Sequence, residues 1–160
     1  MALIFSLDPD SAQFPSTNFP DPQVVHSTER RRVLAFTAES QACAWSRKCP
    51  AISGSLTAVV TYSTATETSG TVQWDVAVEA DTVGTDSLDT DASTSYDTTN
   101  THTAVTVPGT AGIRGTASIT LSNADSLAEG DMVRFRLTRN TGGSTTGTIY
   151  FHDLSIFDSA

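Results

Sequence analysis

The chain has 160 residues, a usual size for one domain and enough to bury a core without metal or disulfide support. Its net charge is −9, from 18 acidic against 9 basic residues, which excludes a protein that wraps nucleic acid, since phosphate binding needs a basic stripe. Apolar residues make up 38% of the chain and none of their runs reaches the length of a membrane span, so no membrane partner is expected.

The opening stretch has no basic region and meets Asp8 and Pro9 early. It is not expected to act as a signal peptide, and the protein is expected to stay in the cytoplasm where it is made or to leave by lysis inside a particle. Pro9, Pro15, Pro20 and Pro22 bias the first 32 residues toward extended backbone. Apolar residues interleave with them, which a disordered tail would lack. The expectation is an extended N-terminal arm, 1–32, ahead of a sandwich domain, 33–160. The arm should lie on its own body, a neighbouring subunit or another protein. Its partner-binding candidates are Leu3, Ile4, Phe5, Phe14 and Phe19, with Arg30, Arg31 and Arg32 as a charged hinge.

From Val33 the apolar period is two. Val33 to Thr37 and Gln41 to Trp45 read as strands, and Leu56 to Tyr62 is clearer still. Thr71 to Ala80 sets Val72, Trp74, Val76 and Val78 on one face and polar residues on most of the other, the pattern of a sheet with one wet side. Residues 81–101 read as a long acidic loop, with Leu88 and Tyr96 as its large apolar side chains and room for one edge strand. His102 to Val107, Gly115 to Ser122 and Met132 to Arg139 follow as strands. Arg134, Arg136 and Arg139 are read as an outward basic row able to pair with Asp75 and Glu79 or to meet an acidic partner. Gly142-Gly143-Ser144 reads as a flexible turn. Gly147 to Phe157 closes the domain, and its alternation slips between Phe151 and Leu154, the mark of a bulge. No window has a helical period. The fold expected is all-β: a jelly-roll-like antiparallel β-sandwich of about eight strands, with an immunoglobulin-like sandwich as the alternative.

Chemistry-bearing residues are sparse. Asp81, Asp86, Asp89, Asp91 and Asp97 are dense in carboxylate but lack the spacing, glycine and closing glutamate of a calcium loop. Cys43 and Cys49 are too few for zinc and are expected as free thiols, with a disulfide formed after release as the alternative. His26, His102 and His152 lie far apart and have no nucleophile motif around them. No enzyme activity, catalytic residue, metal or cofactor is expected.

Three patterns carry a resemblance. They are Gly70-Thr71-Val72-x-Trp74-x-Val76 before an acidic loop, Val107-Pro108-Gly109-Thr110-Ala111-Gly112, and Asn123-Ala124-Asp125-Ser126 running to Gly130-Asp131-x-Val133-x-Phe135-x-Leu137-x-Arg139. From about Ala35 to Leu154 the chain resembles small β-sandwich structural proteins of tailed bacteriophages. These patterns record turns and core positions. The resemblance implies a virion protein, first a capsid decoration (cement) protein on the outer surface of the head. Its partner would be the major capsid protein, and it would form a homo-oligomer such as a trimer. The alternative is a tail-fibre or receptor-binding module that recognises a cell-surface glycan. A carbohydrate-active enzyme is the third reading.

Overall fold

A computed structural model describes every residue except 26, 27, 29, 87–95 and 160. The expected positions Asp89, Asp91, Leu88 and His26 therefore lie outside the described residues. The first six strands in chain order are β1 (Ala2–Leu7), β2 (Asp21–Val25), β3 (Arg31–Phe36), β4 (Ala42–Lys48), β5 (Leu56–Thr64) and β6 (Thr71–Val72). Then come β7 (Trp74–Asp81), β8 (Asn100–Thr101), β9 (Val105–Thr106), β10 (Arg114–Thr120), β11 (Met132–Arg139) and β12 (Ile149–Asp158). The only described helix is one 3-10 turn, Pro9–Ser11.

The chain folds as a jelly-roll-like antiparallel β-sandwich. One sheet runs β10-β5-β12-β3-β2, with β1 also on β12; the other runs β4-β11-β7-β8; β6 and β9 form a short ribbon. The strand expected over 71–80 divides at Gln73, whose backbone carbonyl accepts from Asn140 N at 2.9 Å and whose side-chain Nε2 donates to the His102 carbonyl at 2.7 Å. The bulge expected in the last strand is present as a register shift between Phe151 and Asp153 against β5.

Between the sheets the period-two positions meet. Val72, Trp74, Val76 and Val78 are all buried, as are Trp45, Phe135 and Phe151. Phe36 meets Trp74 edge-to-face, with ring centroids 5.0 Å apart, and Trp45 lies 5.4 Å from Phe151. Each such pair adds about 0.5–1.5 kcal/mol beyond area burial. Both tryptophans are thus core and not sugar platforms.

Three expectations need correction. First, residues 1–32 are not an arm set apart from the body. Ala2 to Leu7 pair with Asp158 to Leu154 of β12, and β2 pairs along β3. Phe5 and Leu7 enter the core, with Phe5 5.4 Å from Phe135. Proline keeps this stretch extended, and an extended chain with free backbone donors caps a sheet edge that would otherwise stand open. Ile4 is half-buried, while Leu3, Phe14, Phe19, Arg30, Arg31 and Arg32 remain at the surface, and Arg32 pairs with Asp10 at 3.1 Å.

Second, Arg139 does not share the outward row with Arg134 and Arg136. It is odd-numbered on a strand whose odd positions face inward, and it is 2% exposed. Its guanidinium donates to the carbonyls of Phe36 and Gly147 at 2.9 Å each, and to that of Thr145. Third, the glycine turn after it is fastened. Ser144 N and Thr145 N both donate to the Thr71 carbonyl at 3.0 Å, and a Cβ on Gly143 would stand 2.8 Å from that same oxygen.

Candidate groove on the outer face of the four-stranded sheet

The outward positions of β4 are small: Ala42, Ala44 and Ser46. In register beside them on β11 stand Thr138, Arg136 and Arg134. Small side chains on one strand and long ones on the next leave a hollow that the flanking segments wall in.

One wall is the chain before β2. Gln13 bridges to Ala44 by two backbone bonds, Gln13 N to Ala44 O at 2.7 Å and Ala44 N to Gln13 O at 2.9 Å. Asn18 closes the segment onto the loop before β4, accepting from Ala42 N at 3.0 Å and donating its side-chain amide to Ser40 O at 2.7 Å. Phe14 is thereby held at the rim, 40% exposed, with Phe19 packed 5.7 Å from it. The opposite wall is Tyr96. Asp97 beside it donates its backbone N–H to Val78 O at 2.9 Å and accepts from Asp125 N at 3.0 Å, which ties the segment to β7 and to the 123–126 turn. The Tyr96 ring lies over two guanidinium groups, 4.3 Å from Arg136 and 5.5 Å from Arg134.

The result is an open groove of about 610 Å³, lined by Phe14, Pro15, Ser40, Tyr96, Arg136 and Thr138 among others. That volume is in the range of small-molecule sites, about 300–1,000 Å³. An aromatic ring at each side and hydroxyls and guanidinium N–H groups between them can grip a flat ring that carries polar edges.

The remaining candidates are engaged elsewhere. Arg134 pairs with Glu79 at 3.1 Å, as expected, while Asp75 accepts from Thr101 and Asn140. Asp86 accepts from Thr82 N at 2.7 Å, and among the described residues no three His, Cys, Asp or Glu side chains gather as a metal set would. His102 accepts from Trp74 N at 3.0 Å through Nε2, and its other nitrogen contacts Thr103 O, so it is a backbone bracket. His152 Nε2 lies 2.8 Å from Ser63 Oγ. Burial, then Arg114 and Arg31, hold that imidazole below its ordinary pKa, and no carboxylate orients it among the described residues as a Ser-His-Asp site would need.

Cys43 and Cys49 are buried free thiols. Six residues of extended chain span about 20 Å, far beyond the reach of one disulfide. Burial pushes both thiols up, and Asp131 and Glu129 add to this at Cys49, so neither is a nucleophile.

Of the sequence-predicted site residues, the groove takes in Phe14 alone. Leu3 and the three hinge arginines lie off its lining, and Phe5 is core. Tyr96 and Arg136 were visible in the sequence only as a loop aromatic and an outward arginine. Their one shared signal was that each is a large side chain on a solvent-facing position.

No protein-family model matches the sequence, and no curated protein does. Solved structures match over nearly the whole chain. A carbohydrate binding module from Cellvibrio mixtus lichenase 5A, in complex with cellotriose, aligns with a TM-score of 0.55 at 12% identity, covering 99% of each chain. A family 35 carbohydrate binding module from Clostridium thermocellum aligns with a TM-score of 0.55 at 14% identity, covering 98% of this chain and 100% of that one. A xylan-binding domain from Paenibacillus barcinonensis Xyn10C aligns with a TM-score of 0.53 at 10% identity, covering 99% and 96%. At such identities the likeness is one of fold.

Proposed function

We propose that this chain is a non-catalytic glycan-recognition module that holds a saccharide in the groove between Phe14 and Tyr96. The observation that carries this is the groove's composition: an exposed Phe14 and a half-buried Tyr96 about a floor of hydroxyl and guanidinium donors. A sugar ring offers an apolar C–H face to an aromatic and hydroxyl edges to polar groups, and each part of the groove meets one of these needs. The fold shared with carbohydrate-binding modules supports the reading.

The virion setting implied by the sequence patterns is part of the proposal, and within it the tail-fibre or receptor-binding role is favoured over head decoration. Decoration drew on an arm free to lie over a capsid, whereas β1 and β2 are hydrogen-bonded into their own sheet. Imaging of particles labelled on this chain distinguishes the two, a few copies at the tail supporting the proposal and many on the head opposing it. Saccharide binding itself is tested by titrating the full chain with a panel of plant and bacterial polysaccharides. Binding that Tyr96→Ala abolishes, with circular dichroism unchanged, supports the groove. A chain that binds none of the panel overturns it.

A further inference from the structure

We infer that the groove selects saccharides that carry an anionic substituent, a carboxylate or a sulfate, and that Arg136 is the selecting residue. The inference rests on the reading of the groove as a glycan site and adds the chemical class of the glycan.

The argument begins with what stands beside Arg136. Its register partners are Ala44 on β4 and Ala77 on β7, so neither neighbouring strand offers it an acid. Arg134, two residues away, has Glu79 opposite and pairs with it. The two carboxylates diagonal to Arg136 on β7 are already engaged. Glu79 is 1% exposed and bonded to Arg134, and Asp75 accepts from Thr101 and Asn140. Arg136 is half-buried, and its one contact among the described residues is the face of Tyr96. A ring stacked on the guanidinium face leaves the in-plane N–H groups without a hydrogen-bond partner among the described residues, and these form the planar fork that donates two parallel bonds to a carboxylate or sulfate.

The rest of the lining points the same way. In a chain with twice as many acids as bases, the described lining of this groove contains no Asp or Glu and two arginines. A neutral sugar hydroxyl both donates and accepts, and is best met by a mixture that includes carboxylates. A floor of guanidinium donors suits a group that only accepts. The net charge of −9 repels a polyanion at long range, but that repulsion is screened beyond about 8 Å at physiological salt, while the contact with Arg136 is not.

The test uses matched pairs on the full chain by calorimetric titration: oligogalacturonate against its methyl ester, and a sulfated galactan oligomer against its desulfated form. The anionic member of one pair should bind at least about ten-fold tighter than its neutral partner, the range of one charge-assisted contact. Whichever pair shows the preference identifies carboxylate or sulfate. Arg136→Gln should bring the affinity ratio within the pair to about one, whatever it does to the affinity for the neutral member, and Arg136→Lys should keep part of the preference. Equal binding of both members in both pairs overturns the inference and leaves the glycan groove standing. A preference that survives Arg136→Gln in a chain folded by circular dichroism overturns the role of Arg136. No binding to any member overturns the inference together with the function it rests on.

Discussion

Strand β11 places arginines in two opposite settings. Arg139 points between the sheets, where three carbonyl oxygens take its donors and burial lowers its pKa from the ordinary value. Arg136 points outward, where it stacks on Tyr96 and its donors face the groove. The strand, the charge and the residue type are shared, so neighbours alone decide the role. Where backbone acceptors surround a guanidinium it is a brace. Where they are absent it is available to something else. The same contrast separates the molecule's interior from its candidate site, and substitutions along β11 and its partners test how sharp the boundary is.

The largest effect should come from the interior. Trp74, the register partner of Arg139, is fully buried against Phe36 and Tyr62. Trp74→Ala should lower stability by about 3–5 kcal/mol in a urea melt, and a loss under about 1 kcal/mol would show the strand turned the other way. Next, Phe5→Ala should cost about 3 kcal/mol through its contact with Phe135, whereas Leu3→Ala, on the exposed side of β1, should change stability by under about 0.5 kcal/mol. Equal small effects would mean that β1 leaves the sheet in solution. Arg139→Ala should cost about 2 kcal/mol by orphaning buried carbonyls, and Arg136→Ala under about 0.5 kcal/mol. If the two arginines prove equal, the face of β11 on which each stands does not decide its role.

The smallest effect tests the other sheet's outer face. The folded protein holds His152 below its ordinary pKa, so the unfolded chain binds more protons there once the pH drops below about 6.5. Stability should therefore fall with pH from that point, and His152→Gln should flatten the early part of the fall in thermal melts at stepped pH. Parallel curves for the two proteins would remove His152 from the account.

Much of the fold could be read from the sequence because period-two alternation is local. Val133, Phe135 and Leu137 announce both a strand and its buried face, and the slip at Phe151 announces the bulge. What escaped is non-local. Residues 1–25 have the composition of an arm whether or not an edge lies ready for them, and only the pairing of Ala2 with Asp158 and of Gln13 with Ala44 shows that one does. The groove escaped for the same reason. Tyr96 and Arg136 are 40 positions apart and meet only because β7 pairs with β11 and Asp97 bonds to Val78. Arg139 differs: its charge groups it with Arg134 and Arg136, but the count of two places it on the other face.

Arg139 also bears on how the protein opens. Its guanidinium reaches from the core into the 140–148 turn and holds Thr145 and Gly147 from below, while Thr71 receives the Ser144 and Thr145 amides from the side. A glycine-rich turn so anchored has no separate melting step. The Ser144 and Thr145 amides, both bonded to Thr71, should exchange with solvent only when the sheets part, which hydrogen exchange would show. Flexibility of composition has here been turned into cooperativity, with the turn reporting on the whole sandwich.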